Sequence, residues 1–529
     1  MTPIPMGATA QQLVQDSLLA TAATSPEKPA IVDETERLMY GELSERALRF
    51  ARALQDGGLR PGERVVLYLD NTAACATAIF GTLLAGGVFV VVNPQTKAEK
   101  LAYVLGDSEA AALVVAGRLE AIAAEALQQA PSVRLVLETG GAGGSPTACA
   151  SETRSSAWLD LDDAIRAAEP EPADPGTSPS DLASLIYTSG TTGLPKGVMM
   201  THGALVFSVG SIAEYLRLDS EDRILNILPF AFTYGLNQLL LSVRLGATLV
   251  LEPSFVFPPR TLERIRNEAV TVFPGVPTTW ATLIGMEGVG EYPSVRCLTN
   301  AAAGLPPPFH DGLRRLFPNA AIFRMYGLTE CIRVCYLEPD LLDVKPTSVG
   351  KAIPGTEAFV LNEAGERAEP GEIGVLHVRG PHLMLGYWRA PEATAHMLRA
   401  EPGSQEKTLC THDHFTVDED GDLTFVDRSD DIIKTRGEKV SSVEVENALH
   451  EIPGVRTVAV VGFPDELLGQ AIRAYVVLEE GAALTEREIV RLSRSRLEGF
   501  MVPQEVRLVA ELPETESGKI RKKSLLADD

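Results

Sequence analysis

Residues 185–198 read LIYTSGTTGLPKGV, a branched apolar run that breaks into a turn of Ser, Thr and Gly and closes on a lysine. Such a run predicts a short buried strand, and the turn after it can wrap successive backbone N–H groups and hydroxyls around an anion. Lys196 adds a positive charge on a flexible stem. Together they point to the phosphates of a nucleotide. The usual mononucleotide loop, Gly-x-x-x-x-Gly-Lys-Ser/Thr, is excluded because Lys196 is followed by Gly197 and Val198.

Outward from this turn the chain alternates. RVVLYL at 64–69 and VFVVV at 88–92 predict buried strands flanking an apolar helix over 73–84. That order favours an α/β fold with a mainly parallel sheet. Further strands are expected at 111–115 and 133–137, then a surface excursion over the Gly-, Ser- and Pro-rich residues 139–180. A second alternating region has strands at 248–251, 270–273, 295–299 and 321–325, the last entering YGLTE. Shorter strands and turns follow from about residue 355. From Asp430 a smaller α+β unit is expected, with a helix over 443–450 and strands at 457–463 and 473–478. The domains are therefore 1–429, a large multilayered core, and 430–529, a smaller terminal unit.

With 529 residues the chain exceeds one ordinary core. A formal charge of −24 argues against a duplex-binding surface or a polybasic membrane anchor, so no nucleic-acid partner is expected. Cysteines at 75, 149, 297, 331, 335 and 410 make no metal or disulfide framework. No secretory leader or apolar stretch of about 20 residues is evident, so no transmembrane segment is expected. A cytoplasmic protein is the simplest reading, and its oligomeric state is left open.

Four separated segments carry a resemblance: YTSGTTGLPKG at 187–197, YGLTE at 326–330, the DxxxxDxDGxxxxxxRxDDxIK pattern at 413–434, and PETESGKIRK at 513–522. In these the chain resembles the adenylate-forming acyl-CoA synthetase superfamily, which includes peptide-synthetase adenylation domains and luciferases. The resemblance spans roughly residues 35–525. It implies that Thr188, Ser189, Gly190, Thr191, Thr192, Gly193 and Lys196 cradle the β- and γ-phosphates of ATP. Tyr326, beside Gly327, would stack on adenine, Thr329 would donate to the α-phosphate, and Glu330 with Thr188 would position Mg²⁺. Asp413 would accept from the ribose hydroxyls, with Arg428 as its cationic companion. Lys519 would bridge the acid's carboxylate and ATP, opposing charge as it develops. Asp430 would be the hinge on which the terminal unit turns, withdrawing Lys519 and bringing residues 434–439, KTRGEK, to a thiol channel. There Gly437 would let a pantetheine arm pass, and Arg436, Lys439 or Arg473 would hold its phosphate.

The chain departs from common family patterns in three places. His412 stands where Thr-Gly-Asp usually has glycine, and packing or solvation outweighs a new catalytic base there. Asp427 replaces the glycine before Arg428. In ILPFAFTYGLNQ, 227–238, Phe232 replaces a common histidine, and Thr233 stands where amino-acid-activating members carry an aspartate. A neutral hydroxyl compensates an ammonium poorly, which disfavours an α-amino acid. Phe232 either gates the acyl site or packs the core. The small Ala301, Ala302 and Ala303, with Tyr234 and Met325, predict a pocket for an uncharged aliphatic or aryl acid.

The expected reaction joins the acid to ATP as an acyl adenylate and then to coenzyme A as a thioester. Phosphopantetheine on a separate acyl or peptidyl carrier protein is the nearest alternative thiol. A nonenzymatic nucleotide sensor or scaffold is the rival of a different class.

Overall fold

The computed structural model describes residues 12–140, 157–188, 194–302, 304–305, 309–400, 406–428, 432–479, 481–513, 522 and 525. Asp427 and Arg428 are described by their backbone alone. Ser189, Gly190, Thr191, Thr192, Gly193, Ala303, Asp430 and Lys519 lie outside the described residues.

Three sheets make the architecture. An eight-stranded sheet runs parallel through Val88–Val91, Arg64–Tyr68, Ala110–Ala116 and Leu135–Thr139. These four strands are buried on both faces, the condition under which Val, Leu and Ala run without alternation. A fourteen-stranded sheet carries a parallel centre of Ala321–Tyr326, Cys297–Asn300, Val272–Gly275, Arg223–Asn226 and Thr248–Leu251, extended by antiparallel strands from the later chain. Helix Ala73–Leu84 is buried on nearly every side, as its uniformly apolar sequence requires. Thr72 caps its start, the hydroxyl accepting from the Cys75 N–H at 3.4 Å.

One expectation changes in detail, and another gains its geometry. The strand expected before the phosphate turn covers 182–188. It forms a hairpin, with Thr188 opposite Lys196 and Tyr187 opposite Gly197. The whole of 139–180 is not an excursion: Ala157–Asp160 adds a parallel strand beside Leu135–Thr139, and helix Leu161–Ala167 follows it. The polar composition around this four-residue edge strand masked it.

From Ile432 onward the chain builds its own five-stranded sheet around the long hairpin Val455–Asp465 and Gly469–Leu478. Ile433, Val440, Val445, Leu449, Val460 and Ile472 form a core separate from that of the two large sheets.

His202 opens helix His202–Tyr215 and is almost wholly buried, its Nδ1 accepting from the Val14 N–H at 3.3 Å. Burial pushes its pKa down from 6.5 to about 4, against a smaller upward pull from Asp181. The unfolded chain therefore takes up this proton more readily. Stability is fully present above about pH 6.5 and falls by on the order of 1 kcal/mol per pH unit toward pH 4. Chemical denaturation across that range should be flatter for His202→Asn than for the parent. Parallel curves would remove His202 as the acid-sensitive group.

Candidate functional site

A cavity of about 860 Å³ opens where parallel strands of both large sheets end. Its wall takes Val92 and Asn93 after Val88–Val91, Phe232 to Tyr234 after Arg223–Asn226, Ala301 and Ala302 after Cys297–Asn300, and Tyr326 to Thr329 after Ala321–Tyr326. Carboxyl ends of parallel strands are where such sheets leave crevices for ligands. The open side is covered by the terminal unit, through Lys434, Gly437, Glu438, Lys439 and Phe500.

On one side the YGLTE segment turns sharply. A Cβ at Gly327 would sit 2.4 Å from the Ile332 carbonyl oxygen, so only glycine fits. Tyr326 is buried, its hydroxyl donating to Asp413 and its ring meeting Phe415 edge-on at 4.9 Å. Asp413 is fully buried and lies directly across the strand pair from Arg428. Lys434 extends over Phe425 and Tyr326, with Nζ at 4.8 and 5.5 Å from the two ring centroids. Thr188 and Thr329 face the cavity. Glu330 lies behind that wall, where Oε1 accepts from the Tyr387 hydroxyl at 2.7 Å while the buried Oε2 has no partner among the described residues. Lys196 sits 5.6 Å above the Tyr387 ring. A buried carboxylate oxygen without a donor beside a hydroxyl-rich hairpin suits a hard, oxygen-seeking cation. The acidic turn of Asp418, Asp420 and Asp422 does not call for one, since the Lys345 ammonium reaches all three at 2.6–2.7 Å.

On the other side stand Phe232, Thr233, Tyr234, Ala301, Ala302 and Met325. Phe232 meets Phe500 of the terminal unit edge to face at 6.1 Å, so it belongs to the cavity wall and not to the interior core. The Tyr234 hydroxyl reaches the Thr299 carbonyl oxygen at 2.8 Å. Met325 Sδ accepts from Tyr215 at 3.0 Å. His412 adopts φ +56°, the left-handed conformation that glycine takes freely, and stacks on His396 at 4.2 Å. It is a packed residue at a position shaped for glycine.

Gly437 has φ +84°, and a Cβ there would lie 2.7 Å from Val276 Cγ1, so the two units approach backbone to side chain. Arg436 points outward, its N–H donating to the Leu468 carbonyl oxygen at 3.0 Å. Arg473, expected near a ligand phosphate, instead pairs with Glu505 at 2.6 Å beneath Phe463.

Sequence reading missed the ion cluster that joins the units, because its members lie almost four hundred positions apart in the chain. Lys100 Nζ reaches Glu444 at 2.9 Å and Glu498 at 3.0 Å, and the Thr96 hydroxyl donates to Glu498 at 3.0 Å. Burial opposes the Lys100 charge, but the carboxylates of Glu498 and Glu444 outweigh it and raise its pKa. Removing one partner of a buried pair leaves the other charged and dry, at about 3 kcal/mol. Lys100→Met should therefore speed amide exchange across 434–439 by roughly a hundredfold, with the strand Arg64–Tyr68 unaffected. Unchanged exchange at 434–439 would show that the cluster does not hold the terminal unit.

The AMP-binding enzyme family profile matches residues 18–388, and the profile of its C-terminal domain matches residues 444–519. The chain is 31% identical to a long-chain-fatty-acid–CoA ligase of Bacillus subtilis, over 100% of this chain and 95% of the relative. It is 34% identical to a feruloyl-CoA synthase of an Amycolatopsis species, over 95% and 96%. The solved structure of a double mutant of o-succinylbenzoate CoA synthetase from Bacillus subtilis, bound with a product analogue, superimposes with a TM-score of 0.83 at 27% identity, covering 98% of this chain and 99% of that one. Spanning both domains and nearly the full length of its relatives, the chain belongs to the AMP-binding enzyme family of adenylate-forming proteins.

Proposed function

We propose that this protein is an AMP-forming acid–thiol ligase that activates a carboxylic acid with ATP and passes the acyl group to coenzyme A. The carrying observation is that Tyr326 and Thr329, the Phe232 to Tyr234 wall, and Gly437 of the terminal unit border one cavity.

The chemistry brings two anions together. The acid's carboxylate attacks the α-phosphorus of ATP, the bond to the β-phosphate bridge breaks, and pyrophosphate leaves. The hairpin at 188–196 would hold the departing phosphates, Thr329 the α-phosphate, Tyr326 the adenine, and Asp413 with Arg428 the ribose. Glu330 would hold Mg²⁺ with Thr188, and the ion would supply positive charge to the phosphates. Lys519 would oppose the charge of the attacking carboxylate. The thiol of coenzyme A then attacks the mixed anhydride, and AMP departs.

The described arrangement suits the second half-reaction, because Lys434, Gly437, Glu438 and Lys439 of the terminal unit line the cavity. The tail is tied to the terminal unit: Lys522 Nζ reaches Ser442 at 2.8 Å and Glu446 at 2.9 Å, and Leu525 accepts from Tyr475 at 2.6 Å. Lys519 would therefore travel with the 430–529 unit as it turns at Asp430. Among the described residues no helix is long and apolar enough to cross a membrane, and Cys75, Cys297, Cys331, Cys335 and Cys410 are free thiols, in keeping with a cytoplasmic setting.

Pyrophosphate release and thioester formation should be measured over a panel of aliphatic and aryl acids. Lys519→Ala should cut acid-dependent pyrophosphate release by on the order of 10²–10³ yet still make thioester from supplied acyl adenylate. Gly437→Leu should do the reverse, releasing pyrophosphate while thioester formation falls at least tenfold, about 1.4 kcal/mol. Adenylate formation with no thioester to coenzyme A would move the thiol to a carrier protein. No acid-dependent release from the parent would sink the ligase reading.

A further inference from the structure

The cavity wall carries a buried cation with no matching anion among the described residues. Arg333 is 3% exposed, yet among the described residues its Nε has no hydrogen-bond partner and no carboxylate lies within ion-pair distance of it. Its one recorded side-chain contact is a stack on Tyr234, with Cζ 5.4 Å from the ring centroid. Arg324 on the same wall also has an Nε without a partner among the described residues, but its terminal nitrogens donate to the Leu305 carbonyl oxygen at 2.8 Å and the Ser348 carbonyl oxygen at 3.2 Å, so it braces backbone. Lys100 is matched by Glu444 and Glu498.

The backbone is arranged to aim Arg333 inward. Ile332 takes φ +65°, a left-handed conformation that is an outlier for a β-branched residue. That turn lets the Val334 N–H return to the Tyr326 carbonyl oxygen at 3.0 Å, and it brings Arg333 to the cavity wall beside Tyr234 and Met325. Tyr234 and Met325 belong to the wall described above as the acyl side. A desolvated guanidinium presents a planar fork of N–H donors, and leaving such donors unmatched is costly. A substrate oxygen placed there would complete them, in one or two charge-assisted bonds.

The geometry points to an acid substrate with a second oxygen acceptor, a carboxylate or a carbonyl, on the tail remote from the reacting carboxylate, held by Arg333 against Tyr234. This rests on the acid-activating function proposed above. Arg333 is then the residue that separates oxygenated tails from plain hydrocarbon ones. A site whose buried donors expect an acceptor rejects a ligand lacking it far more strongly than an apolar pocket rejects a missing methylene.

Acid-dependent pyrophosphate release with hexanoate, monomethyl adipate and adipate, and with the octanoate and suberate series, tests this in the parent, Arg333→Met and Arg333→Lys. The parent should favour an oxygen-ended acid over its methyl-ended partner by on the order of a hundredfold in kcat/KM. Adipate against its monomethyl ester tells whether the acceptor is anionic or neutral. Arg333→Met should reverse the preference, chiefly through KM, and Arg333→Lys should restore part of it. Arg333→Met should also raise Tm, because it removes an unmatched buried charge. A lower Tm, an equal loss for every acid, or a parent that favours hydrocarbon tails would overturn the assignment to Arg333. Absence of release with all of these acids and with the wider panel would instead be failure of the ligase reading, and the Tm comparison would still judge Arg333.

Discussion

The ion cluster at Lys100 is the constraint on which the cavity depends. Parallel strands from two sheets converge and stop, leaving a crevice walled on several sides and open on one. Only the terminal unit closes it, and its connection to the rest of the chain is a single covalent crossing near residue 430. Across the seam Phe232 meets Phe500, Gly437 approaches Val276, and Lys434 lies over Phe425 and Tyr326. What fixes the orientation is one ammonium shared by Glu444 and Glu498, both carried by the terminal unit. A polar joint of this kind would suit the turning of the terminal unit proposed above.

Much of the architecture was legible because burial on both faces writes continuous apolar runs into sequence. Helix Ala73–Leu84 and strand Thr248–Leu251 have the limits that their composition suggests. Boundaries drifted where strand and loop residues share chemistry, as at Val272–Gly275, whose Pro and Gly look like a turn. The edge strand Ala157–Asp160 was hidden because its side chains are half exposed and its neighbourhood is polar. Of the site, the nucleotide side was readable as contiguous motifs. Cross-sheet partners were not: nothing local in the sequence ties Tyr387 to Glu330.

Arg333 shows a different limit. A lone cation inside CIRVCYL, an otherwise apolar stretch, was a signal in plain view. Its meaning required the structure, since a surface arginine and a buried one are spelled alike. His412 is similar. Its departure from a glycine pattern could be seen, but only φ +56° explains why glycine is common there and why a stack on His396 compensates.

Glu438 gives the joint a property beyond adhesion. It packs into the same cluster, where burial and the neighbouring Glu498 raise its pKa well above the ordinary carboxylate range, and burial raises that of Glu444 despite Lys100. Carboxyls raised in this way favour the closed arrangement at low pH and weaken it as pH climbs through their elevated pKa values. An opening that returned them to water would lower their pKa values again, so it would favour proton release, and reclosure proton uptake. A terminal unit turning as proposed above would thus be coupled to the proton concentration around it.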